Sequence, residues 1–254
     1  YGNTAAIADA LARGINKTNV KVESYNCEFT PTQQLIKAIQ KADAYLIGSP
    51  TIGGHAPTPI VAALGTLLAE GDKTKSVGIF GSYGWSGEAL DLLGTKLRDS
   101  GFEFAFEPIK INFSPDNKTI KKLEETGTLF GRHLQKKVKR QAGITTGGMS
   151  ASKSNTLIQA LGRIVGSLCI LTTRQIKEED VLTGAMVASW ITQASFSPLG
   201  ISIAIAKDRA VETLLNIGDY FAINILEEGS QNKLMRQFLQ PFQPGEDRLR
   251  GVKY

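Results

Sequence analysis

The first 140 residues alternate between two hydrophobic periods, one typical of helices and the other of buried strands. Residues 4–14 place Ile7, Ala8, Leu11 and Ala12 at the spacing of a surface helix. The alternation predicts a doubly wound parallel sheet, in which ligands bind beyond the carboxyl ends of the strands. Further helices are predicted at 32–42, 59–71, 87–101 and 116–138, and strands at 20–25, at 44–50, from 76 onward and at 102–113.

After residue 156 the pattern changes to short strands in close succession, which indicates an antiparallel sheet or a small barrel. Residues 141–156 are rich in glycine, serine and threonine and therefore predict a linker. The expected domains are 1–140 and 157–254, the second of them cut at its C-terminus. Strands are predicted at 166–174, 180–196, 199–207 and 220–226, and short helices at 209–218 and 230–239.

The composition is that of a globular protein, with 42% hydrophobic residues in a chain of 254. No stretch reaches eighteen consecutive apolar residues and no signal peptide is visible, so no membrane span is expected. Cys27 and Cys169 match no metal or redox spacing, which favours a reduced, cytoplasmic chain with two inert thiols over a disulfide. His55 and His133 lack the neighbours that a metal site needs, and no metal ligands are expected.

The net charge of +5 arises in large part from a basic segment, residues 131–140. Cations at the carbonyl end of a helix are favourable, so a solvated helix end accounts for this segment. No aromatic residues are interleaved to stack bases, and nucleic acid is not expected as a partner. An acidic redox partner remains open.

Two long loops and the opening of the chain carry the candidate chemistry. The loops after the strands at 44–50 and 76 onward are rich in glycine and hydroxyl groups, and the second contains Trp85. Such loops are suited to holding a flat ligand. The opening Gly2-Asn3-Thr4 leads into a helix and has the parts of an anion site, although Thr4 as an ordinary N-cap is an equally good interpretation.

The two halves of the chain resemble two flavoprotein families. Residues 1–4, "GSPT" at 48–51 and "GSYGWSG" at 81–87 resemble flavodoxin-like domains. Residues 183–209 and "GDYFAINIL" at 218–226 resemble the split-barrel NAD(P)H:flavin oxidoreductases. In this order the motifs are similar to the cyanobacterial diflavin flavodiiron proteins. The resemblance implies that a first strand, the start of the phosphate loop and a di-iron domain precede residue 1.

In the first domain the resemblance implies FMN, with its phosphate on Gly2, Asn3 and Thr4. Trp85 or Tyr83 is the implied stacking partner, with Trp85 as a core residue the alternative, and His55 is expected on the loop surface. The ring is expected between two loops, whose implied contact residues are Pro50, Thr51, Ile52, Gly53, Ser82, Tyr83, Gly84, Trp85 and Gly87.

In the second domain the resemblance implies another FMN, although alternating Thr, Ser and apolar residues are also typical of an ordinary half-buried strand. Residues 197–200 depart from the Pro-Pro-Leu usual in the family, which puts the shape of the ring pocket in question. Lys207 and Arg209 are the implied phosphate or ribityl contacts. The other implied contacts are Ala188, Ser189, Trp190, Thr192, Gln193 and Ser195.

The resemblance implies electron transfer from NAD(P)H through FMN in each domain to the di-iron domain, where oxygen is reduced to water as a photoprotective electron sink. The cofactor supplies the reactivity, so no catalytic side chain is expected. One alternative is a carrier or docking subunit that accepts electrons from a partner such as ferredoxin, in a homo- or hetero-oligomer with a paralogous subunit. A stand-alone flavin or quinone reductase is another. The choice between NADH and NADPH is open.

Overall fold

The computed structural model describes residues 2–141, 166–177, 180–227, 231–240 and 244–252. The chain divides into two compact units, residues 1–135 and 136–254. The predicted linker at 141–156 lies outside the described residues except for Gln141. Each unit is therefore described by itself.

The first unit is a three-stranded parallel sheet with five helices. The strands β1 (Ala44–Gly48), β2 (Ser76–Tyr83) and β3 (Ile109–Asn112) lie in that order. The central strand β2 is buried along almost its full length, as is typical of a parallel strand covered by helices on both faces. The helices are α1 (Asn3–Asn16), α2 (Thr32–Lys41), α3 (Thr58–Glu70), α4 (Glu88–Asp99) and α5 (Asn117–Gln141).

Two apolar clusters in this unit confirm the predicted doubly wound arrangement. One joins α3, β2 and α4 through Leu64, Ile79 and Leu93. The other joins α1, β2 and α5, and includes Ile7 and Phe80. Ile79 and Phe80 are neighbours in a strand and point to opposite faces, so the sheet carries helices on both sides.

The helices α1 and α5 approach each other backbone to backbone through two glycines. A Cβ atom on Gly14 would lie 2.0 Å from the Glu124 carbonyl oxygen, and one on Gly127 would lie 2.2 Å from the Leu11 carbonyl oxygen. The hydroxyl of Thr128 donates to the Gly14 carbonyl across this contact at 3.1 Å. The close approach fixes α1, whose N-terminus lies at the candidate site.

Two strand predictions in the first unit are wrong in extent. Residues 20–25 form no strand with the described strands, although Val20 and Val22 pack on an apolar cluster. The alternation in the sequence arises because Val20 and Val22 pack on the protein, whereas Glu23 accepts hydrogen bonds from Lys21 and Tyr25. Of the predicted strand region 102–113, only β3 is a strand.

The second unit is built of antiparallel strands. Its elements are β4 (Cys169–Lys177), β5 (Asp180–Ala188), β6 (Ile191–Phe196), β7 (Leu199–Ile203), β8 (Phe221–Ile225) and α6 (Asn232–Leu239). The three-stranded sheet has the order β5–β4–β8, and a separate hairpin joins β6 to β7. The predicted strand at 180–196 breaks at Ser189 and Trp190, between β5 and β6.

The helix predicted at 209–218 is wrong, because the described chain has only a 3₁₀ turn there, Glu212–Leu214. Val211 and Leu214 are both buried. A 3₁₀ turn has three residues per turn and puts both side chains on one side. The apolar spacing of the sequence is therefore satisfied without an α-helix. The predicted helix at 230–239 is confirmed as α6.

The two cysteines are both free, Cys27 half-buried and Cys169 buried. Burial raises the pKa of each thiol, which keeps both thiols protonated at neutral pH. This agrees with the prediction of inert thiols. Among the helices in the described ranges, none is long and apolar enough to cross a membrane.

Candidate functional site

The carboxyl ends of the three parallel strands meet at one edge of the first unit, and the N-terminus of α1 reaches the same edge. The hydroxyl oxygens of Thr4 in α1 and Ser82 in β2 lie 2.8 Å apart in a hydrogen bond. The Thr51 amide donates to the Ser82 carbonyl at 2.9 Å. Ser82 therefore links the start of α1 to the loop after β1, and three of the predicted site residues are in contact.

The start of α1 has the form of an anion site. Gly2 is the N-cap residue, with φ 97° and ψ 0°, a left-handed conformation that favours glycine. No side chain caps the helix and its first turn has no acidic residue. The amides of Asn3, Thr4 and Ala5 have no acceptor within the helix. Thr4 is thus not the N-cap that the sequence left open, and the amide groups are available to an anion.

The loop after β1 runs alongside β2 and then turns back tightly. The amides of Ile52 and His55 each donate to the other residue's carbonyl, and Gly53 and Gly54 have φ of 57° and 81°. This is a type I′ turn, which requires positive φ at both central residues. Ile52 is 66% exposed although it is apolar. His55 lies on the loop surface, as predicted.

The Thr51 hydroxyl at this edge is buried without a hydrogen-bond partner within the described part of the chain, which is rare for a polar atom. A buried polar group without a partner costs about 1–3 kcal/mol. A ligand with a hydrogen-bonding edge would supply that partner.

The loop after β2 exposes a large aromatic side chain. Trp85 is 95% exposed, which excludes the alternative of a core tryptophan, whereas Tyr83 is half-buried. An indole exposed to this degree is free to stack on the face of a flat ligand. Pro50, half-buried, precedes the other loop, and Gly87 ends this one at the start of α4.

Phe113, which the sequence reasoning did not single out, is a third exposed apolar side chain at the edge. It directly follows β3 and is 58% exposed. Its φ is 53°, a left-handed conformation rare for a bulky residue, and its amide donates to the Tyr83 carbonyl at 2.8 Å. The signal that could have found it is an aromatic residue directly after the last residue of a strand, at the ligand-binding edge.

The charged groups next to the loop after β2 are mainly acidic. The Ser86 hydroxyl donates to the Glu88 carboxylate, and this bond lowers the pKa of Glu88, which is therefore ionised at neutral pH. Asp91 pairs with Lys110 at 2.6 Å. Glu88 and Asp91 lie in the first turn of α4, where the helix dipole favours negative charge.

Together these groups fit a flat aromatic ligand that carries a phosphate. The α1 amides and the Thr4 hydroxyl suit the phosphate, the Thr51 hydroxyl suits a polar ring edge, and Trp85 suits the ring face. FMN has this combination of groups.

In the second unit, the predicted contacts lie around the break between β5 and β6. Ala188 is buried, whereas Ser189 and Trp190 are exposed, Trp190 to 74%. The Trp190 carbonyl accepts a hydrogen bond from the Ala204 amide at 3.0 Å. A Cβ on Gly166 would lie 2.3 Å from the Ser189 carbonyl oxygen, so the backbone passes closely there.

The remaining predicted contacts of the second unit are spread along β6 and beyond β7. Thr192 and Gln193 are exposed on β6, and Ser195 is half-buried opposite Gly200. Lys207 and Arg209 are exposed in the segment after β7. The roles of these residues stay predictions. Throughout the described ranges, no group of three His, Cys, Asp or Glu side chains is placed to hold a metal ion.

Family models match both halves of the chain. Residues 1–127 match the flavodoxin model, and residues 161–254 match the model of the flavin reductase like domain. The chain is 48% identical over 254 residues to putative diflavin flavoprotein A 6 of Nostoc sp. PCC 7120, and 36% identical over 253 residues to diflavin flavoprotein A 1 of Synechocystis sp. PCC 6803. These alignments cover 99% and 100% of this chain, but 42% of each relative.

Among solved structures, the flavodiiron core of Flv1 from Synechocystis sp. PCC6803, soaked with metal, matches with 50% identity and a TM-score of 0.53, over 54% of this chain and 34% of that one. A diflavin flavoprotein A3 structure from Nostoc sp. matches with 30% identity and a TM-score of 0.50, over 56% of this chain and 91% of that one.

Fold, site and matches define a flavoprotein with a flavodoxin module followed by a flavin reductase-like module. The predicted fold class is confirmed. The chain belongs to the diflavin flavoprotein A family, the flavodiiron proteins, and spans about two fifths of the length of the curated relatives it matches. The two modules indicate that it binds flavin and serves electron transfer as an oxidoreductase.

Proposed function

We propose that the first unit binds FMN at the carboxyl edge of its sheet. The observation that carries this proposal is the buried Thr51 hydroxyl without a partner, next to exposed apolar side chains and uncapped helix amides. Each of the three features costs stability in the protein alone, and a bound ligand would remove that cost. FMN would satisfy them together.

The residues of this edge would each act through ordinary contacts. The amides of Asn3 and Thr4 would hold the phosphate with the α1 dipole, so that no side-chain cation is required. Trp85 would cover one face of the ring and limit access of water.

In the second unit we propose a further FMN site along residues 188–195, with Lys207 and Arg209 as anion contacts. Support comes from the flavin reductase like match, which includes all of these residues. FMN would supply the hydride-accepting and electron-releasing chemistry when bound. The protein residues would orient the rings and exclude water, and no side chain would act as acid or base.

For the whole protein we propose NAD(P)H as the electron donor and a di-iron domain as the acceptor, with oxygen reduced to water as a photoprotective sink. The diflavin flavoprotein relatives and the flavodiiron core structure support this assignment. We further propose a cytoplasmic protein that forms a homo- or hetero-oligomer with a paralogous subunit.

The test is anaerobic reduction of the FMN-loaded chain by NADPH or NADH, followed by flavin absorbance in rapid mixing. The proposal expects rapid loss of the oxidised flavin spectrum of both flavins with at least one of the two nucleotides. The variant Lys207→Ala/Arg209→Ala, in which the second site loses its cations, should slow this loss.

Failure of both nucleotides to reduce the flavin would overturn NAD(P)H dependence. Rapid reduction by reduced ferredoxin under the same conditions would then favour the alternative, a carrier or docking subunit. A matched control is Lys96→Ala/Arg98→Ala, which removes two cations from the last turn of α4, outside both proposed sites, and should reduce at the rate of the unmodified chain.

A further inference from the structure

The Trp85 loop, defined as residues 83–87, depends on β3 for its position. We propose that Lys110 and Asn112 are positioning residues that brace the two ends of this loop and so hold Trp85 where it can cover the FMN ring. The proposal rests on the proposed FMN site of the first unit and deepens it by assigning residues that do not touch the ligand.

Alternation along β3 places both residues on one side of the strand. Ile109 and Ile111 are half-buried and pack toward the apolar cluster of α1, β2 and α5, whereas Lys110 and Asn112 are exposed. Side chains two residues apart in a strand share a face. Since β3 pairs in register with Phe80 to Tyr83 of β2, this face lies beside the segment that continues into the Trp85 loop.

The start of the loop is held by Asn112 and its neighbour Phe113. The Asn112 side-chain amide donates to the Gly84 carbonyl at 2.8 Å, and the Phe113 amide donates to the Tyr83 carbonyl at 2.8 Å. The Phe113 ring lies 3.4 Å from the position a Cβ on Gly84 would take. Three contacts from the end of β3 therefore converge on two successive loop residues.

The end of the loop is supported by the aliphatic stem of Lys110. A Cβ on Gly87 would lie 3.2 Å from Lys110 Cδ and 3.7 Å from Cε, so the methylene groups pass directly against this glycine. The Lys110 ammonium is anchored 2.6 Å from Asp91 Oδ1 in α4. The stem supports the loop, and the ion pair keeps the stem in place.

Trp85 itself is 95% exposed and gains little support from its own side-chain contacts. Its position is therefore set by the backbone at both ends of the loop. Loss of either brace should release the indole and weaken FMN binding, although neither Lys110 nor Asn112 is required for the ligand contacts.

The experiment compares four substitutions in the full chain: Asn112→Ala, Lys110→Ala, Lys110→Met and Lys21→Ala. All four are made in the Lys207→Ala/Arg209→Ala background, which weakens the proposed second site, so that the FMN affinity measured by fluorescence titration and the visible spectrum and midpoint potential of the bound FMN report the first unit. Loss of one hydrogen bond from Asn112→Ala should weaken binding about fivefold and shift the potential. Lys110→Ala should weaken binding about threefold, and Lys110→Met, which keeps the stem, should recover most of that loss.

The control Lys21→Ala removes an exposed ion pair with Glu23, in the segment 20–25, and should leave affinity, spectrum and potential unchanged. A second readout needs no FMN. In a Trp190→Phe background Trp85 is the only tryptophan, and its fluorescence anisotropy reports loop motion. Both Asn112→Ala and Lys110→Ala should lower this anisotropy.

The outcomes separate the brace from the FMN site. Unchanged anisotropy in both alanine variants would overturn the proposal. If Lys110→Met binds FMN as weakly as Lys110→Ala, the role assigned to the Lys110 methylene groups is wrong. If the unmodified chain fails to bind FMN, the FMN assignment falls, and the anisotropy alone decides whether Lys110 and Asn112 brace the loop.

Discussion

The contact between α1 and α5 permits a prediction in which one substitution has opposite effects at two positions. Gly14 lies in this contact, and a Cβ there would be 2.0 Å from a backbone oxygen of α5. Gly65 lies in the interior of α3, where an added Cβ would meet nothing within 4 Å. The same glycine-to-alanine substitution therefore adds a methyl group that clashes with α5 at Gly14 and meets no other atom at Gly65.

The magnitudes follow from the distances. Cβ contacts below 3.0 Å are essentially never observed, so in Gly14→Ala the backbones of α1 and α5 must separate by about 1 Å. Overpacking of this kind costs about 3 kcal/mol, which exceeds the gain of about 1 kcal/mol in helix propensity. Gly65→Ala keeps the gain alone and should stabilise the unit by roughly 1 kcal/mol.

The assay is urea unfolding of the FMN-free chain followed by far-UV circular dichroism, with thermal unfolding as a second measure. We expect Gly14→Ala to lower the free energy of unfolding of the first unit by about 2 kcal/mol and its Tm by about 7 °C. The separation should also weaken FMN binding, because α1 carries the phosphate amides. Stabilisation by both substitutions would refute the close packing of α1 on α5.

Three further results are expected. Asp116→Ala should destabilise the first unit by about 1 kcal/mol at pH 7, because the Asp116 carboxylate accepts hydrogen bonds from Thr119 at the start of α5. These bonds lower the pKa of Asp116, so their stabilisation is present above the ordinary carboxyl pKa and is lost as pH falls through the lowered value. In urea titrations at pH 7 and at a pH below the lowered value, Asp116→Asn should retain the stabilisation at both. Trp85→Ala should weaken FMN binding roughly tenfold in a fluorescence titration, with the Tm of the FMN-free chain unchanged, since the side chain is 95% exposed. Cys27 and Cys169 should react slowly with an alkylating reagent at pH 7, followed by mass spectrometry, and faster above pH 9 or in urea, because burial raises their pKa.

Local hydrophobic period was sufficient to predict the helices of the first unit and the parallel sheet. The helices α1 to α5 and the strands β1 and β2 lie within a few residues of their predicted bounds. The prediction succeeded because each element packs one apolar face or run against its neighbours, including α2, which has no fully buried residue but packs Ile39 on the cluster of α3, β2 and α4. The loops after β1 and β2 could be assigned to the ligand edge because parallel strands direct their carboxyl ends to the same side.

Features that depend on distant residues could not be predicted. The buried Thr51 hydroxyl has the same sequence context as an ordinary loop threonine, and its burial results from the packing around it. The sequence predicts Phe113 as the last residue of a strand, whereas its left-handed φ accompanies a hydrogen bond to Tyr83 of the Trp85 loop. Residues 209–218 have helical spacing, but the chain forms a 3₁₀ turn there, in which Val211 and Leu214 both pack against Gly184 of β5.

We infer that the chain holds one FMN in each of its two modules. To test this, the full chain is loaded with FMN under anaerobic conditions, free flavin is removed by desalting, and the flavins retained per chain are counted by absorbance after denaturation. We expect two retained flavins for the unmodified chain and fewer than two for Trp85→Ala. Retention of one flavin or none by the unmodified chain would show that at least one module does not hold FMN.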